Sequence, residues 1–229
     1  MNARPQLSRR SLLQSGAVLG AAAAAGGLAS CSSPSGIPTA PTPQPSEDPT
    51  TTPSRSGRVL LAYFSRPGEN YYYGGRRNLQ VGNTEMLARI IGDLIDCDLY
   101  RIEAADPYSN SYDATVARNE DEQDADARPK IANPVESIEQ YDSVLLGSPI
   151  WSVRPPMIMT TFLDSHDFAG KTIHPFVTYA VSGLGQTEAT YAAALPGVRV
   201  SAGLAVQGEE VTQHRPDIEG WLQQARLTS

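Results

Sequence analysis

YFSRPGENYYYGGRRNLQVGNTEMLARII, residues Tyr63–Ile91, decides how the rest of the chain is read. A continuous apolar run, Arg58–Phe64, ends at Ser65, and sixteen residues later Gly82-Asn83-Thr84 opens a segment with helical apolar spacing. The run predicts a strand buried on both faces. In Thr84–Ile95, Met86, Leu87, Ile90, Ile91, Leu94 and Ile95 fall on one broad helical face. Helix starts leave amide hydrogens free and carry partial positive charge, so an anion is favoured there. Thr84 is then a hydroxyl donor to that anion or a helix cap, and Gly82 lets backbone approach closely. The expectation is one anion site to which Ser65 and the Gly-Asn-Thr turn both contribute, with Gly68–Val81 looped out of it. Closing such a loop costs free energy only logarithmically in its length. Within it, Tyr71, Tyr72 and Tyr73 either cover a ligand or pack on themselves, and Arg76 and Arg77 are either solvated or turned to an anionic partner.

Downstream, the pattern repeats. Asp98–Ile102 predicts a second strand, Tyr112–Asp126 a mostly polar, exposed helix, Ser143–Trp151 a third strand broken at Pro149, and Pro156–Asp164 a helix with proline in its first turn. Thr172–Ala180 predicts a fourth strand, Thr187–Ala194 a helix, Val200–Val206 a fifth strand and Pro216–Leu227 a last helix. Strands alternating with helices imply parallel pairing and right-handed crossovers, hence an α/β, open, doubly wound sheet. Ligands in such sheets sit beyond the carboxyl ends of the strands. Three loops meet that edge: Ser65 with Gly82–Thr84, then Gly147–Trp151, then Tyr179–Gln186. Taken singly, each has an ordinary explanation as a helix cap, a core indole or a turn; their coincidence at one edge points to a ligand crevice.

The first 57 residues are of another kind. Ser8-Arg9-Arg10-Ser11-Leu12-Leu13, a weakly apolar Ala/Gly stretch and Leu28-Ala29-Ser30-Cys31 resemble a twin-arginine export signal joined to a lipoprotein cleavage box. The expected division is 1–30 signal, 31–57 a Ser/Thr/Pro-rich disordered tether, and 58–229 the folded domain. In that reading Cys31 carries acyl chains, at about 0.8 kcal/mol per buried methylene, and the domain is lipid-anchored in the cell envelope, outside the cytoplasm.

The chain carries 18 Lys+Arg against 25 Asp+Glu, a formal net charge of −7. Loss of residues 1–30 removes three arginines and no acid, leaving about −10. This balance argues against nucleic acid as a partner. Two cysteines, one of them Cys31, leave Cys97 without a disulfide partner and predict a buried structural thiol. Neither they nor His166, His174 and His214 have metal-ligand spacing. The acidic run Glu120, Asp121, Glu122, Asp124 and Asp126 predicts a solvated helix face.

The stretches YFSRPGEN, GNTEMLA, Pro107-Tyr108 through Ile131, and YDSVLLGSPIWSVRPPMIMTTFLDSHDFAGKTIHPFVTYAVSG make the domain, from Val59 to Val206, resemble the flavodoxin-like family, in particular bacterial members with an extended first phosphate loop. The resemblance implies a three-layer sandwich around a five-stranded parallel sheet of order 2-1-3-4-5, the order of flavodoxin itself, and noncovalently bound FMN. It implies that Ser65, Asn83 and Thr84 hold the phosphate with Arg66 and Gly82 close by. Pro149, Ile150 and Trp151 would line one side of the isoalloxazine ring, and Ser182, Gly183 and Gly185 would flank the other. Ser152 stands where the family often has a second aromatic, and Ala180-Val181 where it often has paired glycines. Such a protein is expected to carry electrons to a redox partner protein or a small-molecule acceptor. The alternatives are an FMN-dependent NAD(P)H oxidoreductase acting on a quinone or similar acceptor, and a non-redox binding lipoprotein on the same scaffold.

Overall fold

The computed structural model describes residues 58–228; the predicted signal and tether, including Cys31, lie outside the described residues. The elements follow in the order β1 (Val59–Phe64), β2 (Gly68–Tyr72), β3 (Gly75–Leu79), α1 (Asn83–Gly92), β4 (Asp98–Ile102), α2 (Tyr112–Asp124), β5 (Ser143–Pro149), α3 (Met157–Asp164), β6 (Thr172–Tyr179), α4 (Thr187–Ala194), β7 (Arg199–Val200), β8 (Leu204–Gln207), a 3-10 turn over Gly208–Gln213, and α5 (Arg215–Gln224). The main sheet is parallel and runs β4-β1-β5-β6, with β7 and β8 both on the far edge of β6. Counted by position, this is the expected order 2-1-3-4-5.

Every residue of β1 is buried because the strand is sandwiched. Leu60, Ala62 and Phe64 join Val144, Leu146, Ile158 and Phe162 in one core layer; Val59, Leu61 and Tyr63 join Leu87, Ile91, Leu145, Trp221 and Leu222 in the other. The period of two along a strand thus feeds two cores, and the helices close both faces.

Three features depart from the reading of the sequence. Gly68–Val81 is largely an antiparallel hairpin, β2 on β3, paired from Gly68 opposite Leu79 to Tyr72 opposite Gly75. Its alternation is polar and aromatic, without the apolar face that marks a strand in sequence. The fifth strand is two pieces: β7 pairs with Thr172–Ile173, β8 with Phe176–Tyr179, and the register shifts by one residue between them. Pro175 lies at the interruption and has no N–H to give a ladder. Ser201 Oγ meets His174 Nδ1 at 2.9 Å there, and the Trp221 indole donates to Ala202 O at 3.0 Å. Finally, α2 is exposed on only part of its surface. Thr115, Asn119 and Glu122 are buried, and Glu122 accepts from Tyr108 Oη at 2.8 Å and Arg118 Nε at 2.7 Å. Glu122 therefore departs from the solvated acidic face, while Glu120, Asp121, Asp124 and Asp126 are exposed.

Cys97 is half-buried and unpaired; burial, with Asp96 and Asp98 alongside, pushes its thiol up to about 11. Among the described residues no helix is long and apolar enough to cross a membrane, and no cluster of three metal-ligating side chains occurs.

Candidate functional site

Helix α1 begins without a side-chain cap of its own: Gly82 is its N-cap residue. The cap comes from β1. Ser65 Oγ accepts from Glu85 N at 3.1 Å, and Met86 N donates to Gly82 O at 3.2 Å. A Cβ at Gly82 would collide with Ser65 Oγ, so glycine is what lets the two segments touch. Ser65 and the Gly-Asn-Thr turn are therefore one structure, bridged across sixteen residues. With Glu85 N satisfied by Ser65, the Asn83 and Thr84 amides are the first-turn donors that have no intrahelical acceptor.

Thr84 is only 1% exposed, and its hydroxyl meets Thr178 Oγ1, near the end of β6, at 2.7 Å. Arg66, the next residue after Ser65, is buried too. It donates from Nη1 to Ser109 O at 2.9 Å and from Nη2 to Glu69 O, while Nε is buried with no hydrogen-bond partner. Burial pulls its guanidinium below the ordinary arginine value, with Glu69 and Tyr112 opposing. A buried cation bonded to neutral carbonyls, one N–H unsatisfied, beside two free helix amides is a donor set suited to a phosphate.

These groups open into a cavity of about 230 Å³ at the carboxyl ends of β1, β5 and β6. Ser65, Arg66, Asn83 and Thr84 line one part of it, and Pro149, Ile150 and Trp151 another. Trp151 packs edge-on against Phe64 and Tyr108, with ring centroids 5.6 and 5.1 Å away. Its indole is thus half in the aromatic core and half in the cavity wall. Gly82 does not itself line the cavity; its place is behind Ser65.

Ser182, Gly183 and Gly185 do not line the cavity either; that loop reaches it only through Tyr179 and Ala180. It folds on itself, Gly185 N donating to Ser182 O at 3.0 Å, and docks on the next turn, Gln186 N donating to Val153 O at 2.7 Å. Gly185, at φ +53°, has no room for a Cβ against Val153 O. The turn it supports is unusual: Ser152 and Val153 both have positive φ, +49° and +64°, between Trp151 and Arg154, which exchange backbone hydrogen bonds. A β-branched residue in that region is strained.

Of the remaining walls, only Tyr71 is a candidate from the sequence. From β6 comes Thr178, from the segment after β8 come Gly208 and Glu209, from the hairpin come Asn70 and Tyr71, and from α2 come Tyr112, Thr115, Val116 and Asn119. On α2, Tyr112, Thr115, Asn119 and Glu122 recur at helical spacing as a polar stripe. A stripe search restricted to apolar residues passes over it. Asn119, 1% exposed, accepts from Gln123 Nε2 at 3.0 Å, and Gln123 also donates to Trp151 O at 3.3 Å, which ties α2 to the indole loop.

A parallel sheet of order 2-1-3-4-5, with hydrogen-bond donors and an indole gathered at its carboxyl edge, defines the doubly wound α/β class. Residues 78–225 match the family profile described as Flavodoxin, and the chain belongs to that family. A candidate flavoprotein from Bacteroides eggerthii is similar at 27% identity over 75% of this chain and 99% of its own, with a TM-score of 0.60. Another, from Bacteroides uniformis, is 27% identical over 73% of this chain and 98% of its own, with a TM-score of 0.58. No curated protein sequence matches the chain.

Proposed function

We propose that the protein binds FMN and transfers electrons, and that acyl chains on Cys31 hold it outside the cytoplasm. The observation that carries the cofactor reading is the donor set at the start of α1: two first-turn amides beside the buried, partly unsatisfied Arg66. Ser65, Arg66, Asn83 and Thr84 would hold the phosphate, and Pro149, Ile150 and Trp151 would border the ring system. Bound FMN would supply one- and two-electron exchange, to which the protein adds orientation and local charge. Glu209 turns its carboxylate to the hairpin, accepting from Tyr73 N at 2.8 Å, so it leaves the phosphate end to donors.

Titrating the purified protein with FMN tests this directly. Saturable quenching of flavin fluorescence, with a shifted visible spectrum, is expected; no change on adding FMN refutes it. A second reading, a reductase that takes electrons from reduced nicotinamide for a small acceptor, is favoured by the hairpin standing over the cavity. Bleaching of the flavin by NADPH alone selects it; bleaching only by a reduced protein partner selects the carrier.

A further inference from the structure

The hairpin is anchored on both rims of the cavity. At its base, Glu69 N donates to Asn110 O at 2.8 Å, and Glu69 Oε2 accepts from Tyr112 N at 3.0 Å. Arg76 holds Asp113 through two nitrogens, at 2.8 and 2.6 Å, and stacks over the Tyr112 ring at 4.5 Å. These contacts fix the strands to the start of α2. The tip reaches the opposite rim, where Tyr73 N donates to Glu209 Oε1 at 2.8 Å and Tyr73 Oη to Glu210 Oε1 at 3.1 Å. Between the two anchorages Asn70 and Tyr71 face the cavity.

We propose that β2–β3 is a latched strap that reserves this cavity for small molecules: cofactor and second reactant pass beneath it, and a protein surface does not reach the cavity wall. The inference deepens the FMN reading and rests on it for the identity of the cofactor, but not for the closure. Three observations carry it. The strap crosses from rim to rim. Its two ends differ: the base is tied by backbone, carboxylate and stacking contacts, whereas the tip is held by two exposed hydrogen bonds, so release begins at the tip. And the cavity beneath it, about 230 Å³, is small beside the roughly 300–1,000 Å³ of ordinary small-molecule sites. Charge points the same way. An acidic protein draws basic partners, yet the strap presents Arg76 and Arg77, both exposed, on β3, and Arg77 lies against the Tyr72 ring at 4.9 Å.

The two tryptophans make the closure measurable without cofactor. Trp221 is 7% exposed in the core, so Trp221→Phe leaves the cavity-wall Trp151 as the sole indole. In that protein acrylamide is expected to quench Trp151, and a nitroxide carried on dextran is not. Replacing Asn70–Asn78 by two glycines should make the bulky quencher at least fivefold more effective. Equal quenching by the bulky probe with and without the hairpin overturns the proposal. Should Trp221→Phe fail to fold, the same pair of quenchers applied to the unmodified protein decides, since the buried Trp221 is shielded from both. FMN added to the same samples reports separately on the cofactor reading: saturable loss of Trp151 emission supports it, and unchanged emission removes it while the quencher result still decides on the strap.

Discussion

Ser65 links the reach of a strand to the start of a helix. Its hydroxyl does for α1 what an N-cap side chain does locally, and it frees Thr84 to face Thr178 instead. Thr84→Val removes a hydroxyl from the donor set and strands Thr178. Binding of FMN should weaken by about 1–3 kcal/mol, as for a hydrogen bond to a charged group, and isothermal titration checks it; unchanged affinity would take Thr84 out of the site. His174 gives a prediction about stability. Burial, with Arg199 nearby, drops its imidazole from near 6.5 to about 4, so it is neutral in the fold but takes a proton when the chain unfolds at mildly acidic pH. Its contribution is therefore intact above pH 6.5 and is lost as pH falls from 6.5 towards 4, by roughly 3 kcal/mol in all. Urea unfolding of His174→Asn should be flatter than that of the parent across this window; parallel curves refute the assignment.

Elements with a strong period were legible in sequence; those whose burial is polar were not. The buried runs of β1, β5 and β6 and the apolar face of α1 announced themselves, because a core on both sides leaves no polar position to confuse the pattern. In sequence the hairpin has the character of a loop because Glu69, Asn70, Arg76 and Arg77 carry no apolar alternation, its order coming from contacts with α2 and the 3-10 turn. The stripe of α2 was missed for the same reason: Thr115 and Asn119 are buried against a cavity, not a hydrocarbon core. Of the residues proposed for the site, Ser65, Arg66, Asn83, Thr84, Pro149, Ile150 and Trp151 meet around one cavity, while Ser182, Gly183 and Gly185 lie outside its lining, Gly185 packing on Val153 of the Trp151–Arg154 turn. Loosening the strap is an element-scale test. Tyr73→Phe combined with Glu209→Gln weakens the tip, and losing about 1 kcal/mol there should speed FMN release about fivefold in stopped flow. An unchanged rate would mean that the cofactor leaves by another route.

For the whole molecule, parallel pairing and right-handed crossovers follow from alternation, since β-α units in one sheet leave few topologies, and the order of the strands from the family resemblance. The break in the outer strand does not, because it depends on which neighbour Pro175 meets. Residues 1–57 carry a separate prediction. If acyl chains on Cys31 anchor the domain, the full chain sediments with membranes and Cys31→Ser appears in the soluble fraction; equal partitioning of the two would exclude anchoring at that residue. Trp221, carried by α5 and packed on the sheet with its indole on Ala202 O, should matter to folding rather than to flavin.

Cys97 has a practical side. A sulfhydryl that sheds its proton only near pH 11 reacts sluggishly with maleimides in neutral buffer. A single cysteine introduced at Gly75, beside the exposed bend of the hairpin and free of positive φ, would then take a fluorophore selectively in the 58–229 fragment. The native thiol need not be removed to obtain a dye whose brightness follows the rise and fall of the strap.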